Sequence, residues 1–214
     1  MALSKVDFNN INVTPAASKK LKWNSSANGF ETGDVGGSMV LISTVTASSS
    51  STLSFTSGID STYKEYIFKF IDIHPSHDSG KFRFNLSVDG GSNYNVAKTT
   101  TCFEGYHYED DSSTVFNFAG GGALAQSTAD QNILRGVGAD NDQSGCATMH
   151  LFEPSSTTFV KHFLIRASRS QSIDYAADNL FAGYGNTTSA VDAIRFQFNS
   201  GNIDAGTIKM YGVT

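Results

Sequence analysis

The chain is short of proline, cysteine, tryptophan and charge, and each shortage narrows the options. Its 214 residues include 3 Pro, 2 Cys and 1 Trp. Two cysteines, Cys102 and Cys146, cannot staple a small disulfide scaffold. The length also makes staples unnecessary, because a chain of this size buries roughly 70% of the surface its unfolded form exposes. With nothing pointing to an exported scaffold, both are read as free thiols, a single bridge being the alternative. Charged residues make up 16% of the chain, against roughly 25% in an average soluble domain. The net charge is −5, so the basic stripe that nucleic-acid phosphates require is missing. The one basic cluster, Lys19, Lys20 and Lys22, is too short to serve. No apolar run approaches the roughly 18 residues of a membrane span, and the N-terminus has no apolar signal stretch. The expectation is a chain made in a cytoplasm, with no membrane insertion, that can still end on the outside of a particle. No segment carries a convincing helical period, and no repeat of a propeller or β-helix is visible.

What is abundant points to β-structure. There are 16 Phe, 8 Tyr and 20 Gly. Aromatic and β-branched residues suit pleated, half-buried surfaces, and Gly, Asn, Asp and Ser supply turns. From residue 38 onward, strand follows strand: 39–46, 52–56, 64–73, 81–88, 98–108, 114–119, 132–137, 146–152, 160–168, 179–184, 193–199 and 206–213. Segment 64–73 places Tyr66, Phe68 and Phe70, with His74 beyond them, on one face. Segment 81–88 does the same with Phe82, Phe84, Leu86 and Val88. In 160–168, Lys161, Phe163, Ile165 and Ala167 oppose His162, Leu164 and Arg166. Ten to twelve short strands with turns between them predict an all-β fold, a jelly-roll-like two-sheet β-sandwich over 38–214. Residues 1–37 predict an extended N-terminal arm for attachment or oligomerisation. Its large apolar residues, Phe8, Ile11, Leu21, Trp23 and Phe30, are too few for a core, and aromatic residues are the usual interface anchors.

Candidate chemistry fails on ligand count or context. His74 and His77 lack the second ligand pair of a zinc site and sit in a turn. Asp110-Asp111 and Asp140 with Asp142 lie in separate loops, short of the six to eight oxygens that Ca²⁺ takes. Glu104 and Glu153 are the least unsuitable pair for glycoside hydrolysis, but nothing in the pattern brings them together. There is no nucleophile elbow, dinucleotide fingerprint or phosphate loop. Asn12 and Asn186 begin glycosylation triplets that carry no meaning without secretion. The expectation is therefore a protein that is not an enzyme and needs no cofactor or metal. Tyr94, Tyr106, Tyr108 and Tyr175, near loops rich in Asp and Asn, are candidate glycan contacts, since rings stack on sugar faces. Partial burial or a subunit contact is the alternative.

Several runs carry a resemblance. Met39-Val-Leu-Ile-Ser-Thr44, Phe55-Thr-Ser-Gly-Ile-Asp-Ser-Thr-Tyr63, Pro154-Ser-Ser-Thr-Thr158 with His150 and His162 around it, and Ser200-Gly-Asn-Ile-Asp204 followed by Gly206-Thr-Ile-Lys209 resemble structural proteins of tailed bacteriophages. The opening Met1-Ala-Leu-Ser-Lys-Val6 is similar to the start of such proteins. The resemblance implies a non-enzymatic virion-surface component: a tail fibre, appendage or capsid decoration. It also implies a homo-oligomer, often a trimer, that meets other virion proteins through the arm. The alternative it leaves open is a receptor-binding adhesin module that contacts host surface glycan.

Overall fold

The computed structural model describes residues 19–24, 26, 29–34 and 39–214. Phe8 and Ile11 lie outside the described residues. The chain separates into two compact units, Met1–Val40 and Leu41–Thr214.

The first unit holds a β-hairpin of β1 (Lys19–Trp23) and β2 (Phe30–Asp34), and its last two residues, Met39 and Val40, open the strand β3 (Met39–Thr46) that continues in the second. Its register runs from Lys19 opposite Asp34 to Trp23 opposite Phe30. The turn closes through the Asn24 N–H, which donates to the Gly29 carbonyl at 2.9 Å. At the closed end the Trp23 and Phe30 rings stack at 4.4 Å, and Lys22 pairs with Glu31 at 3.2 Å. Leu21, Trp23 and Phe30 are all exposed on this hairpin.

The second unit is all-β. Its strands are β3 (Met39–Thr46), β4 (Leu53–Phe55), β5 (Glu65–Pro75), β6 (Gly80–Ser87), β7 (Lys98–Tyr108), β8 (Thr114–Phe118), β9 (Gln131–Val137), β10 (Gly145–Phe152), β11 (Lys161–Gln171), β12 (Tyr175–Gly185), β13 (Ala193–Phe198) and β14 (Ile203–Val213). One 3-10 turn, Gly120–Gly122, follows β8. An eight-stranded sheet runs in the order β3-β14-β5-β10-β11-β12-β7-β8, and a four-stranded sheet in the order β4-β13-β6-β9. The strand pairings among β4 to β14 in both sheets are antiparallel.

Two hairpins are inserted into a simpler plan. Without β7–β8 and β11–β12, the two sheets read β3-β14-β5-β10 and β4-β13-β6-β9. Numbered by their order in the chain, those eight strands run 1-8-3-6 and 2-7-4-5. That is the double Greek key of a jelly roll, as the residue pattern predicts. The inserted β11–β12 hairpin pairs onto β10, and the inserted β7–β8 hairpin pairs onto β12. They double the width of one sheet and leave the other at four strands.

The core lies between the sheets and is rich in phenylalanine. Phe196 of β13 stands 5.1 Å from Phe70 and 5.7 Å from Phe68 across the interface. Phe84 of β6 meets Phe163 of β11 edge-on at 5.1 Å. Such pairs add roughly 0.5–1.5 kcal/mol to the burial of their area. Phe82, Phe84 and Leu86 are fully buried, as their alternation predicts.

Two side chains expected on the inner face are not there. His74 does not follow Tyr66, Phe68 and Phe70 inward, because β5 carries a bulge at Asp72, whose φ is +52°. The register against both β10 and β14 shifts at that point. The parity of β5 flips, Ile73 and Pro75 turn inward, and His74 bonds the Gln143 carbonyl at 2.7 Å instead. One extra residue in a strand does this because side chains alternate with period two. Val88 is 37% exposed, because β6 ends at Ser87. There the Ser87 hydroxyl donates to Asp89 at 2.7 Å and starts the turn.

Candidate functional site

The outer face of the eight-stranded sheet holds a long open trough. Register places its side chains in rows that cross the strands. The first row is Lys209 (β14), Lys69 (β5), Thr148 (β10), Arg166 (β11), Leu180 (β12), Phe103 (β7) and Phe118 (β8). The second, two residues along, begins at Thr207 and Ile71 and continues through Ser168, Asp178 and Gly105 to Phe116, with Cys146 beside the β5 bulge. Seven strands span about 29 Å at roughly 4.8 Å per strand. The second row is mostly small residues, which makes it the floor. The hollow has a volume of about 1160 Å³. Two further hollows, about 480 and 340 Å³, open on the same face around Leu164 and Ala182.

Rings form one wall. Phe103, Phe116 and Phe118 are 41, 73 and 59% exposed. The Phe103 and Phe116 planes are nearly parallel, 7° apart with centroids at 6.3 Å. Gly105 is opposite Phe116 in register, and a methyl group there would touch the ring at 3.4 Å.

Polar groups occupy the opposite side. Lys69 donates to the Thr148 hydroxyl at 3.1 Å. Arg166 grips Asp178 with two hydrogen bonds, at 2.9 and 3.4 Å. That pairing raises the already high guanidinium pKa. His150 bonds the Glu65 carboxylate through Nδ1, and its ring stacks near Phe152 at 6.2 Å. The Cys146 thiol lies 3.6 Å from the Asp72 carboxylate.

Of the four tyrosines expected to contact glycan, three come together. Tyr106, Tyr108 and Tyr175 have ring centroids 5.0–5.8 Å apart. They stand on the inner side of the widened sheet, beside a buried polar cluster. There Glu104 accepts from Asn179 at 2.6 Å and from Arg169 at 3.2 Å, and pairs with Arg135 at 3.4 Å. The Arg169 guanidinium lies 5.7 Å from the centre of the Tyr175 ring. Burial lowers the Arg169 pKa, opposed by Glu104, and burial raises the Tyr175 phenol. These rings spend their faces on one another. Tyr94 belongs to a different place, the turn after β6, where Arg195 covers its ring at 4.7 Å.

The other candidates are taken up by local partners. Glu104 serves the buried arginines, while Glu153 pairs with exposed Lys64 at 2.8 Å. Asp110 caps its own turn by accepting from the Ser112 N–H at 3.0 Å, and Asp111 bonds His107 at 2.9 Å. His77 bonds the neighbouring Ser76 hydroxyl at 2.9 Å. Among the described residues no group of three or more His, Cys, Asp or Glu is placed to hold a metal ion. Cys102 is buried and Cys146 exposed, and both are free thiols. Burial pushes the Cys102 thiol up to about 11.

The trough escaped sequence reasoning because no segment carries it. The only trace is the exposed half of each alternation, such as His162, Leu164 and Arg166 on β11. That half becomes a surface only when seven strands lie in register. No family model, curated protein or solved structure matches this chain.

Proposed function

We propose that the protein is a non-enzymatic component of a virion surface whose sandwich binds an extended saccharide along the trough. One observation carries the binding half: all three hollows open on a single sheet face, with exposed rings on one side and hydrogen-bonding groups on the other. Sugars present apolar C–H faces and a rim of hydroxyls. Rings such as Phe103 and Phe116 suit the former, and Thr148, Ser168 and the Arg166–Asp178 pair suit the latter. An open groove that crosses strands admits a polymer at any point along its length. The virion half is supported by the resemblance to tailed-phage structural proteins. A jelly roll is also an architecture of viral capsid and lectin domains, which is a fold-level analogy. In this reading residues 1–37 attach the protein to other virion proteins, the protein forms a homo-oligomer, and the trough meets host surface glycan.

The direct test is a glycan array with the full chain, repeated with Phe116→Ala and Phe103→Ala. Loss of one stacking ring is expected to weaken binding about tenfold, corresponding to roughly 1.4 kcal/mol. A folded parent protein that binds no saccharide would overturn the reading.

A second reading has its own support. Ile71, Leu164 and Leu180 are 40, 51 and 43% exposed on this same face, and apolar patches of that kind also mark protein interfaces. Here the face would join copies of the chain, in a trimer for example. Sedimentation would then show an oligomer that Leu164→Asp and Leu180→Asp dissociate.

A further inference from the structure

The trough contains a pair of side chains that the fold gives no reason to put together. Lys209 of β14 and Lys69 of β5 are direct cross-strand partners on the same face. Side chains at such positions lie with their Cβ atoms roughly 4.5–5.5 Å apart, and like charges there destabilise a sheet. Both lysines are half-buried, so water screens them incompletely. Neither has an ion pair among the described residues: Arg166 has taken Asp178, and Lys69 donates to a neutral hydroxyl. Around them, the His150 ring holds Glu65 at one lip of the trough, and Asp72 lies against Cys146 at the other. Among the described residues no carboxylate pairs with either lysine, and both lysines line the hollow from adjacent strands. This occurs in a chain whose overall charge is −5.

We propose that Lys69 and Lys209 form an anion subsite and that the polymer bound in the trough is an acidic polysaccharide. One carboxylate or sulfate of the sugar sits between the two ammonium groups and cancels their repulsion. The Thr148 hydroxyl, already bonded to Lys69, is within the same row to reach a neighbouring sugar hydroxyl. The wall of Phe103, Phe116 and Phe118 lies about four strands away, near 19 Å at roughly 4.8 Å per strand. A single ligand that meets both features must therefore be an oligomer of several sugar units. This inference rests on the saccharide-binding reading above and adds the charge class of the sugar.

The repulsion also makes a second, independent statement. Each lysine is costly to the free fold and useful only with ligand bound, so removal of one should leave the fold as stable or more stable while binding falls. A residue kept for structure behaves in the opposite way.

The experiment uses the full chain and three polymers: alginate, the same alginate with its carboxylates reduced to neutral hydroxymethyl groups, and polyglutamate. Affinity electrophoresis measures binding, and thermal unfolding measures stability. Alginate is expected to bind at least tenfold more tightly than its reduced form, and the gap should close as salt rises from 0.1 to 0.5 M, about the range over which surface charges become screened. Lys69→Met with Lys209→Met should bind both alginates equally, with an unfolding midpoint no lower than that of the parent. Phe116→Ala should weaken both alginates alike. Equal binding of the two alginates by the parent protein overturns the anion subsite and leaves the saccharide reading intact. Binding of neither overturns both. Polyglutamate bound as tightly as alginate overturns the saccharide specificity, since it would reduce the site to plain charge attraction. A double variant that binds alginate like the parent overturns the role of these two lysines.

Discussion

Lys161 and Lys98 are both buried, and they behave differently because their partners differ. The Lys161 ammonium donates to three backbone carbonyls, Ser156 at 2.6 Å, Phe159 at 2.7 Å and Thr187 at 3.2 Å. It ties the loop after β10 to the loop after β12. Lys161→Met leaves those carbonyls without their donor, and a loss of about 2–4 kcal/mol in urea unfolding is expected. An unchanged midpoint would show that water replaces the ammonium at no cost. Among the described residues Lys98 has only the Asn85 amide oxygen and the Val96 carbonyl as acceptors. Burial lowers its pKa from 10.5 to about 8, with Asp130 opposing the shift. The unfolded chain therefore binds this proton more tightly than the folded one between those two pH values. The associated stability is complete above the higher pKa and is lost as pH falls through the lower one. The protein should thus become more stable as pH rises from about 8 toward 9.5. The full window would correspond to something on the order of 3 kcal/mol. Burial shifts Lys161 in the same direction, and the raised Cys102 thiol opposes the gain above its ordinary value near 9, so the Lys98 share is the difference between parent and Lys98→Met. Denaturant titrations at pH 7.5 and 9.5 measure it, and equal slopes in the two proteins would refute the assignment. The interval stops short of pH 10 because Tyr66 and Tyr175, raised by burial, contribute the opposite slope above the ordinary tyrosine range.

Among the elements, the paired irregularities of β5 and β14 set the shape of the large sheet. Asp72 on β5 and Gly206 on β14 both sit at positive φ, +52° and +123°, where the register between the strands slips. Glycine is required at 206. Its φ is rare for any residue with a side chain, and a methyl group would meet Ile73 Cδ1 at 2.8 Å and the Asp72 carbonyl at 2.9 Å. Gly90 has a positive φ as well, +69°, but nothing within 4 Å. Gly206→Ala should therefore cost roughly 2 kcal/mol or more, and Gly90→Ala about 1 kcal/mol, since only the second escapes the clash. Equal costs in thermal unfolding would mean that backbone strain alone decides both. The β7–β8 hairpin gives the contrasting case. Phe116 is 73% exposed, so Phe116→Ser should change stability by less than about 0.5 kcal/mol. On the proposed saccharide reading, its effect belongs to binding. A large loss of stability would mean that the ring holds the hairpin in place.

At the scale of the whole molecule, the jelly roll is the stable body and the two inserted hairpins are what it carries. The inner faces of its eight strands supply most of the fully buried rings, while β11, β12, β7 and β8 contribute much of the trough. The sandwich unit, Leu41–Thr214, has its own core. A chain lacking residues 1–37 is expected to unfold cooperatively, with a midpoint within a few degrees of the full chain. On the proposed reading it should keep saccharide binding and lose incorporation into particles. Collapse of the truncated chain would show that the sandwich depends on the arm. Normal incorporation would remove the anchoring role of the arm.

Composition and alternation determined the inner half of this protein. Phe82, Phe84 and Leu86, or Phe163, Ile165 and Ala167, can fold only with that side buried, because period-two apolar patterns leave a strand no other way to lose water contact. Strand pattern and turn residues therefore carried the all-β class and the two-sheet sandwich. His74 and Val88 fell outside the pattern because a bulge and a turn interrupt it, and both depend on hydrogen bonds to residues distant in sequence or to the turn itself. The outer half was decided by tertiary structure alone. Tyr106, Tyr108 and Tyr175 came together on the inner side of the sheet, where their faces cover one another, while Tyr94 went elsewhere. Lys69 and Lys209 are 140 residues apart in the chain. Nothing local makes them neighbours, and only the antiparallel register of β5 with β14 sets the two lysines opposite each other.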